Sequence, residues 1–420
     1  MNRSGLVLLA LLACQAASAW ELDARLKYFG SVAALPEDDL QRIETGTPDY
    51  ADGADLRLMF RTQRDGLSLI VDHSTTLLRS DVLNSARAPG LTLDQSATGD
   101  DRRLADLTWT LDGGGRHVLL HRFDRLALRY QGRNWRVTAG REAVSWGNGL
   151  VFQPLDLFNP FAPTTVDTDY KTGDDLLLVE RLFDDGSDLQ LLAVGRRDVD
   201  HEVSAGASSF AGKWHGFMGE GELELVAARH FRDQVYGTAV RWPLGGALLR
   251  SDLVATRLES GTWKLSGIVN LDYSLVIGQR NLYLFGEYFH SSFGVRELPD
   301  DPTGYPQALR DRVQRGELFN LMRDYLALGG TLEWHPLWNQ TLLLITNLND
   351  GSVLGQTQIA FERGDHQRLE LGVVHAFGDP GEEFGGVPVA TLPPELPGQP
   401  LRQITSGGGT RGYLRWVYYF

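Results

Sequence analysis

Thr262-Trp263-Lys264-Leu265-Ser266-Gly267-Ile268-Val269-Asn270-Leu271-Asp272-Tyr273 is the stretch that decides the fold. Trp263, Leu265, Gly267, Val269, Leu271 and Tyr273 occupy every second position, with Thr262, Lys264, Ser266, Ile268, Asn270 and Asp272 between them. A period of two places alternate side chains on opposite faces of a strand, so one face is aromatic and aliphatic and the other mostly polar. Ala54, Leu56, Leu58 and Phe60 alternate in the same way with Asp55, Arg57, Met59 and Arg61. A soluble β-sandwich also alternates, but three features favour a closed antiparallel barrel crossing a membrane. Many segments run to about ten residues, enough to cross a bilayer at a tilt. Tryptophans recur near segment ends, at positions 109, 135, 242, 334 and 338, as interfacial girdles require. Tight turns at Arg64-Asp65-Gly66, Asp112-Gly113-Gly114 and Asp350-Gly351-Ser352 alternate, imperfectly, with long polar loops.

The chain has 420 residues with 47 glycines, 10 tryptophans and 13 tyrosines. No apolar run beyond the N-terminus approaches the roughly 20 residues of a membrane helix. A chain that still spans a bilayer must do so as a closed barrel, because lipid offers no partner to unpaired backbone groups. A formal charge of −14 argues against nucleic acid as a partner.

At the N-terminus, Met1-Asn2-Arg3, the apolar run Leu6 to Ala13 and the A-x-A site Ala17-Ser18-Ala19 form the three parts of a secretory signal. Residues 1–19 are expected to be a signal peptide and 20–420 a single barrel domain. Leu11-Leu12-Ala13-Cys14 resembles a lipoprotein cleavage site, and lipidation at Cys14 is the rival outcome. Cleavage after Ala19 leaves no cysteine, and hence neither disulfides nor cysteine–metal chemistry.

Nineteen candidate strands can be counted, one more than an even-stranded barrel with both termini on one side allows. Counting back from Phe420 places loops 143–174, 293–322 and 377–410 together on the outer side. The surplus lies between residues 79 and 131, expected as a split or merged strand near Asp112-Gly113-Gly114-Gly115. About 18 strands (16–18) is the expected number. Ala308 to Arg315 has the period of a short loop helix, and the proline-rich 377–410 stretch is expected to flex outside the cell.

The last strand reads Tyr413-Leu414-Arg415-Trp416-Val417-Tyr418-Tyr419-Phe420, with Leu414, Trp416, Tyr418 and Phe420 on one face. It resembles the terminal-strand signal that the barrel-assembly machinery reads in outer-membrane proteins. A second stretch is Gly140-Arg141-Glu142-Ala143-Val144-Ser145-Trp146-Gly147-Asn148-Gly149, followed by Phe152-Gln153-Pro154-Leu155-Asp156-Leu157-Phe158-Asn159-Pro160. It looks like a segment of Gram-negative outer-membrane barrels of the porin superfamily, and alginate-export-type barrels are similar in length and style. The resemblance implies a bacterial outer-membrane location, with lipid and lipopolysaccharide around the wall.

The loop after Arg141 carries Trp146, Leu150, Val151, Phe152, Leu155, Leu157, Phe158 and Phe161, an apolar load that needs burial, and the lumen is the available place. Arg125, Arg129 and Arg141 cluster on the adjoining hairpin. Facing acids of that loop, they would either set a transverse field or simply pin the loop. The candidate constriction residues are Arg125, Arg129, Arg141, Trp146, Asp156, Asn159, Asp167, Asp169 and Lys171. No catalytic motif, phosphate-binding loop or metal pattern occurs, and the histidines, including His73, His121, His230, His290 and His375, show no catalytic spacing. The expected function is passive passage of small polar or anionic solutes with no cofactor and no enzymatic step. There is no room for a large plug before the first strand, which disfavours an energy-coupled transporter. The alternative is a loop-plugged barrel acting with an inner-membrane exporter, or in handling surface lipid or polysaccharide.

Overall fold

The computed structural model describes residues 19–81, 99–392 and 402–420. Residues 1–18, Cys14 among them, lie outside the described residues, as do Pro393, Pro394, Pro397 and Pro400.

In chain order the strands are β1 (Ala19–Ala34), β2 (Asp49–Arg64), β3 (Leu67–Ser80), β4 (Thr108–Gly114), β5 (His117–Gln131), β6 (Trp135–Glu142) and β7 (Asp174–Leu182). There follow β8 (Asp188–Val194), β9 (Ser209–Met218), β10 (Gly221–His230), β11 (Asp233–Leu244), β12 (Ala247–Arg257), β13 (Trp263–Ile277) and β14 (Arg280–Ser291). The last are β15 (Asp324–His335), β16 (Trp338–Asn347), β17 (Val353–Arg363), β18 (Gln367–Phe377), β19 (Val387–Leu392), β20 (Arg402–Ser406) and β21 (Thr410–Tyr419).

Each wall strand pairs antiparallel with the next, and β21 returns to pair with β1, which closes the sheet. Among the described residues that sheet has 19 strands, and β4 pairs only with β5, so 18 staves form the barrel. The surplus is therefore neither a split nor a merged stave. β6 pairs with residues 126–131 of β5 and ends at Glu142, where the chain turns inward. β4 satisfies the edge of β5 that this departure leaves open, at residues 117–122.

The long connections 143–173, 292–323 and 378–409 all leave from one end of the barrel. The opposite end carries both termini of the closed sheet and short turns such as Asp65-Gly66, Gly245-Gly246 and Gly278-Gln279. A helix α1 (Leu40–Thr45) sits in the first long-end loop, and α2 (Gln307–Gln314) falls where the helical period is read. In the described parts of the 378–409 connection, β19 and β20 pair with each other and Glu383 reaches into the barrel mouth.

Alternation assigns the faces as expected. Trp263, Leu265, Val269, Leu271 and Tyr273 are half-exposed on the outer wall, while Ser266, Ile268, Asn270 and Asp272 are buried inside. Leu56 and Leu58 face out and Asp55 and Arg57 face in. On β21, Tyr413, Arg415 and Val417 are buried inside. The outward rings of Trp416, Tyr418 and Phe420 form a contact chain with centroids 6.2 and 4.7 Å apart. Exposed Trp20, Trp135, Trp334 and Trp338 ring the short-turn end, and Tyr50, Phe210, Tyr236 and Trp263 the other. A half-exposed aliphatic band between two aromatic rings is a surface for hydrocarbon rather than water.

Candidate functional site

The inner wall is not uniformly wet. Leu176, Leu178, Leu192, Val194, Ala211, Val226, Val235 and Val254 make one apolar cluster on β7–β12. Ile268, Phe289, Tyr325, Ile345, Leu354 and Val374 make a second on β13–β18. Acids and bases concentrate instead on the staves either side of the closure, where Arg25, Lys27, Asp55, Arg57, Asp72, Arg122, Asp124, Glu370 and Arg415 are buried.

Segment 143–173 leaves the wall after β6, lies inside the barrel and rejoins the wall at β7. Its apolar residues cover the apolar half of the wall. Trp146, Val151, Phe152, Leu155 and Phe158 are each less than a tenth exposed. Phe152 stacks on Phe289 at 4.5 Å, and Trp146 meets Phe158 edge-on while donating from Nε1 to Gln190 at 3.0 Å. Burial of each such side chain contributes about 1.5–3 kcal/mol, which offsets the entropy of ordering the segment.

A segment inside a barrel must also satisfy its backbone. Two wall carboxylates do this. Asp252 on β12 accepts from the Asn148 N–H at 2.9 and 3.1 Å. Glu287 on β14 accepts from the N–H groups of Leu150, Val151 and Phe152 at 2.8, 3.0 and 2.7 Å. Two glycines permit this. A Cβ on Gly147, whose φ is +89°, would lie 2.6 Å from Asp252 Oδ2 on the wall, and one on Gly149 would collide with the Phe152 carbonyl oxygen within the turn itself and lie 3.3 Å from Ile268 Cδ1 on the wall.

The far end of the segment meets the charged half of the wall. Asp167 accepts from Lys27 and, at 3.1 Å, from Arg415. Asp169 accepts from Arg25 at 3.1 Å and from Arg415. The Tyr170 ring lies 3.7 Å from the Arg57 guanidinium and 4.8 Å from that of Arg25. The segment thus bridges opposite sides of the lumen, from β12 and β14 to β1 and β21.

Lys171 and Asp156 pair with each other, and Lys171 Nζ also donates to the Val144 carbonyl at 2.6 Å. Burial raises the Asp156 carboxyl to about 6 even beside Lys171, and lowers the lysine. Asn159, at φ +56°, donates to the Thr172 carbonyl at 3.3 Å. This pair and bond join the outgoing and returning arms.

Arg125, Arg129 and Arg141 do not meet Asp156, Asp167 or Asp169. Arg125 and Arg129 pair with Glu142 at 2.9 and 3.1 Å, and Arg125 also donates to the Lys171 carbonyl at 2.6 Å. Arg141 pairs with Asp100 and Asp175 at 2.9 Å. These arginines sit at the root of the segment on β5 and β6, so they reach its stems and not its tip. The residues that hold the tip, Arg25, Lys27, Arg57 and Arg415, and its seats Asp252 and Glu287 escape the sequence reading. Their only signal is a charge at an inward position of an alternating strand, which many strands share.

One grouping has the outline of a hydrolytic triad. Ser209 Oγ lies 3.0 Å from His230 Nδ1, and His230 Nε2 lies 3.0 Å from Glu317 Oε1. Ser209 and His230 are buried and the Glu317 side chain is 14% exposed; Arg196 donates to the same Ser209 Oγ at 2.9 Å, and the Phe158 ring packs on the imidazole at 5.6 Å. Burial works to raise Glu317, but His230, Arg315 and Arg312 outweigh it and hold the carboxyl at about 2. The grouping ties connection 292–323 to β9 and β10. Ser209 is 5% exposed, and its Oγ already accepts from Arg196.

No family model matches the chain, and no curated protein matches it. Solved structures do. OccAB1 of Acinetobacter baumannii is 8% identical, matches over 96% of each chain and gives a TM-score of 0.53. OccK2 (OpdF) of Pseudomonas aeruginosa, solved in complex with glucuronate, is 10% identical over 96% of this chain and 98% of its own, with a TM-score of 0.52. OccD3 (OpdP) of the same organism is 11% identical over 97% and 93%, with a TM-score of 0.50. At these identities the likeness is one of fold: the chain has the closed antiparallel barrel of these proteins along nearly its whole length.

Proposed function

We propose that this chain is a bacterial outer-membrane porin that lets small polar or anionic solutes pass passively, through a lumen narrowed by segment 143–173. The outward aliphatic band and its aromatic rings support the membrane location, with outer-membrane lipid and lipopolysaccharide as neighbours. The fold likeness to the Occ barrels supports the same class. The observation that carries the reading is the seating of one segment between opposite walls, on Asp252 and Glu287 at one side and on Arg25, Lys27 and Arg415 at the other. Preference for anions rests on the basic side chains Arg25, Lys27, Arg57 and Arg415 gathered on the wall that the tip of the segment faces. The constriction roles of Trp146, Asp156, Asn159, Asp167, Asp169 and Lys171 belong to this proposal, and those of Arg125, Arg129 and Arg141 become the pinning of its stems.

Leu414, Trp416, Tyr418 and Phe420 are proposed as the signal for the barrel-assembly machinery. The similarity to alginate-export-type barrels rests on the length and style of the sequence. Single-channel recording in planar bilayers tests the reading. The wild-type barrel should conduct, and removal of residues 150–166 should raise its conductance and admit larger solutes. A barrel silent in both bilayers and liposome swelling would overturn it in favour of a loop-plugged accessory role in polymer export or surface lipid handling.

A further inference from the structure

Beneath the anchored turn 147–150 lies a cavity of about 580 Å³ that the constriction does not use. The turn forms its roof, and its wall is built from the short-turn ends of β10, β11 and β12. It lies across the barrel from the basic staves β21, β1 and β2.

Arg241 and Arg250 are direct cross-strand partners on β11 and β12, and both line this cavity. Like charges placed directly opposite destabilise a ladder unless each is compensated. Here each is. Arg241 meets Glu222 at 3.2 Å and Arg250 is paired with Asp272. Arg241 Nε also donates to the Asn148 side chain at 2.5 Å. Arg250 donates to Asn270 at 3.3 Å, and Asn270 donates in turn to Glu287. Both arginines are therefore fastened to groups that seat the constricting segment.

We propose that this cavity is a binding subsite for a small neutral polyhydroxylated solute, of the size of a mono- or disaccharide, on the short-turn side of the constriction. The proposal rests on the channel reading and names a substrate class for it. Glu222 and Asp272 already neutralise the two guanidinium charges, and Glu220 adds a further negative charge at the rim, so the cavity holds no net attraction for an anion. A hydroxyl both donates and accepts, so neighbouring hydroxyls can take guanidinium N–H edges and the Glu222 carboxylate together while the pairs stay intact. Leu150, Pro243 and Leu248 offer apolar surface to the C–H faces of a sugar ring. The volume falls within the range of about 300–1,000 Å³ common for small-molecule sites.

Titration calorimetry of the detergent-solubilised barrel, with maltose as probe and acetate as anionic control, tests this directly. Saturable heat with maltose and none with acetate is expected. Leu248→Trp, which fills the cavity and leaves every ion pair in place, should weaken maltose at least tenfold. Glu222→Gln, which removes acceptor charge and adds no bulk, should weaken it several-fold and provides a second arm should the tryptophan variant fail to fold. Far-UV circular dichroism checks the barrel in each case. Absence of maltose binding, preference for acetate, or maltose affinity unchanged in both variants would overturn the proposal. Calorimetry needs no conduction, so a barrel that binds maltose but is silent in bilayers overturns the channel reading alone. One that conducts without binding overturns the subsite alone.

Discussion

Glu287→Ala is the perturbation that most directly probes how the lumen is narrowed. Glu287 is fully buried, and its two oxygens accept three consecutive main-chain N–H groups, those of Leu150, Val151 and Phe152, besides the Asn270 side chain. A hydrogen bond to a charged acceptor contributes about 1.5–3 kcal/mol, and a buried donor left without a partner costs about 1–3 kcal/mol. Alanine leaves a space beside the turn that water can enter, which recovers part of that loss. A net weakening of about 3 kcal/mol at the seat remains, roughly a hundredfold in the ratio of seated to unseated segment. Phe152 on Phe289 and the Asp252 anchor still hold, so the segment should stay in the lumen but leave its seat far more often. In single-channel recordings this appears as excursions to a higher conductance level that are rare in the wild type. Glu287→Gln keeps one acceptor oxygen and turns an amide donor toward main-chain donors, so it should lie between the two. A steady conductance identical to wild type in Glu287→Ala, with the same solute cut-off, would refute the reasoning and place the narrowest point elsewhere.

Asp167→Asn with Asp169→Asn removes the charges that neutralise Arg25, Lys27 and Arg415, so the reversal potential in a salt gradient should move toward anion preference; a shift toward cations would contradict the assigned pairing. Leu265→Arg puts a charge on the outer band just inside the Trp263 ring, at a cost between the about 0–1 kcal/mol of an interface and the about 2–4 kcal/mol of a midplane, whereas Lys264→Leu changes only an inward residue bonded to the Ser292 carbonyl. Folding yields in lipid vesicles should therefore fall for the first and hold for the second. Deleting Phe420 should block assembly, seen as unfolded protein accumulating outside the membrane; normal membrane levels would count against its role as a signal. Glu383 is buried against Tyr325, Asn347 and the Leu321 N–H, with Asp350 nearby, and burial pushes its carboxyl up to about 7. Because that value lies above its unfolded one, its contribution to holding the mouth is full at low pH, declines above about 5 and is lost as pH rises through 7. Hydrogen exchange around Leu321, corrected for intrinsic rate, should show more protection at pH 5 than at pH 8.

The local alternation of Thr262–Tyr273 and of Tyr413–Phe420 was enough to assign lipid-type and lumen-type faces, because a strand turns successive side chains to opposite sides whatever its neighbours do. The parity of the stave count and the shared end of the three long connections followed from the same regularity. The apolar load from Trp146 to Phe158 was enough to send its segment inward, because burial energy depends on residue type more than on partner. Which charges meet depended on closure. Arg25 and Asp169 are 144 positions apart, and Arg415 and Asp167 are 248 apart. They touch only because β21 pairs with β1 and brings the two ends of the chain to the wall that the segment's tip reaches. Arg125, Arg129 and Arg141 looked better placed because they are near the segment in sequence, and that nearness is why they hold its root. Glu287 and Asp252 carry no sequence mark beyond a charge at an inward position, since an inward carboxylate becomes a seat for backbone N–H groups only where a distant loop, freed of side chains at Gly147 and Gly149, comes within hydrogen-bond reach.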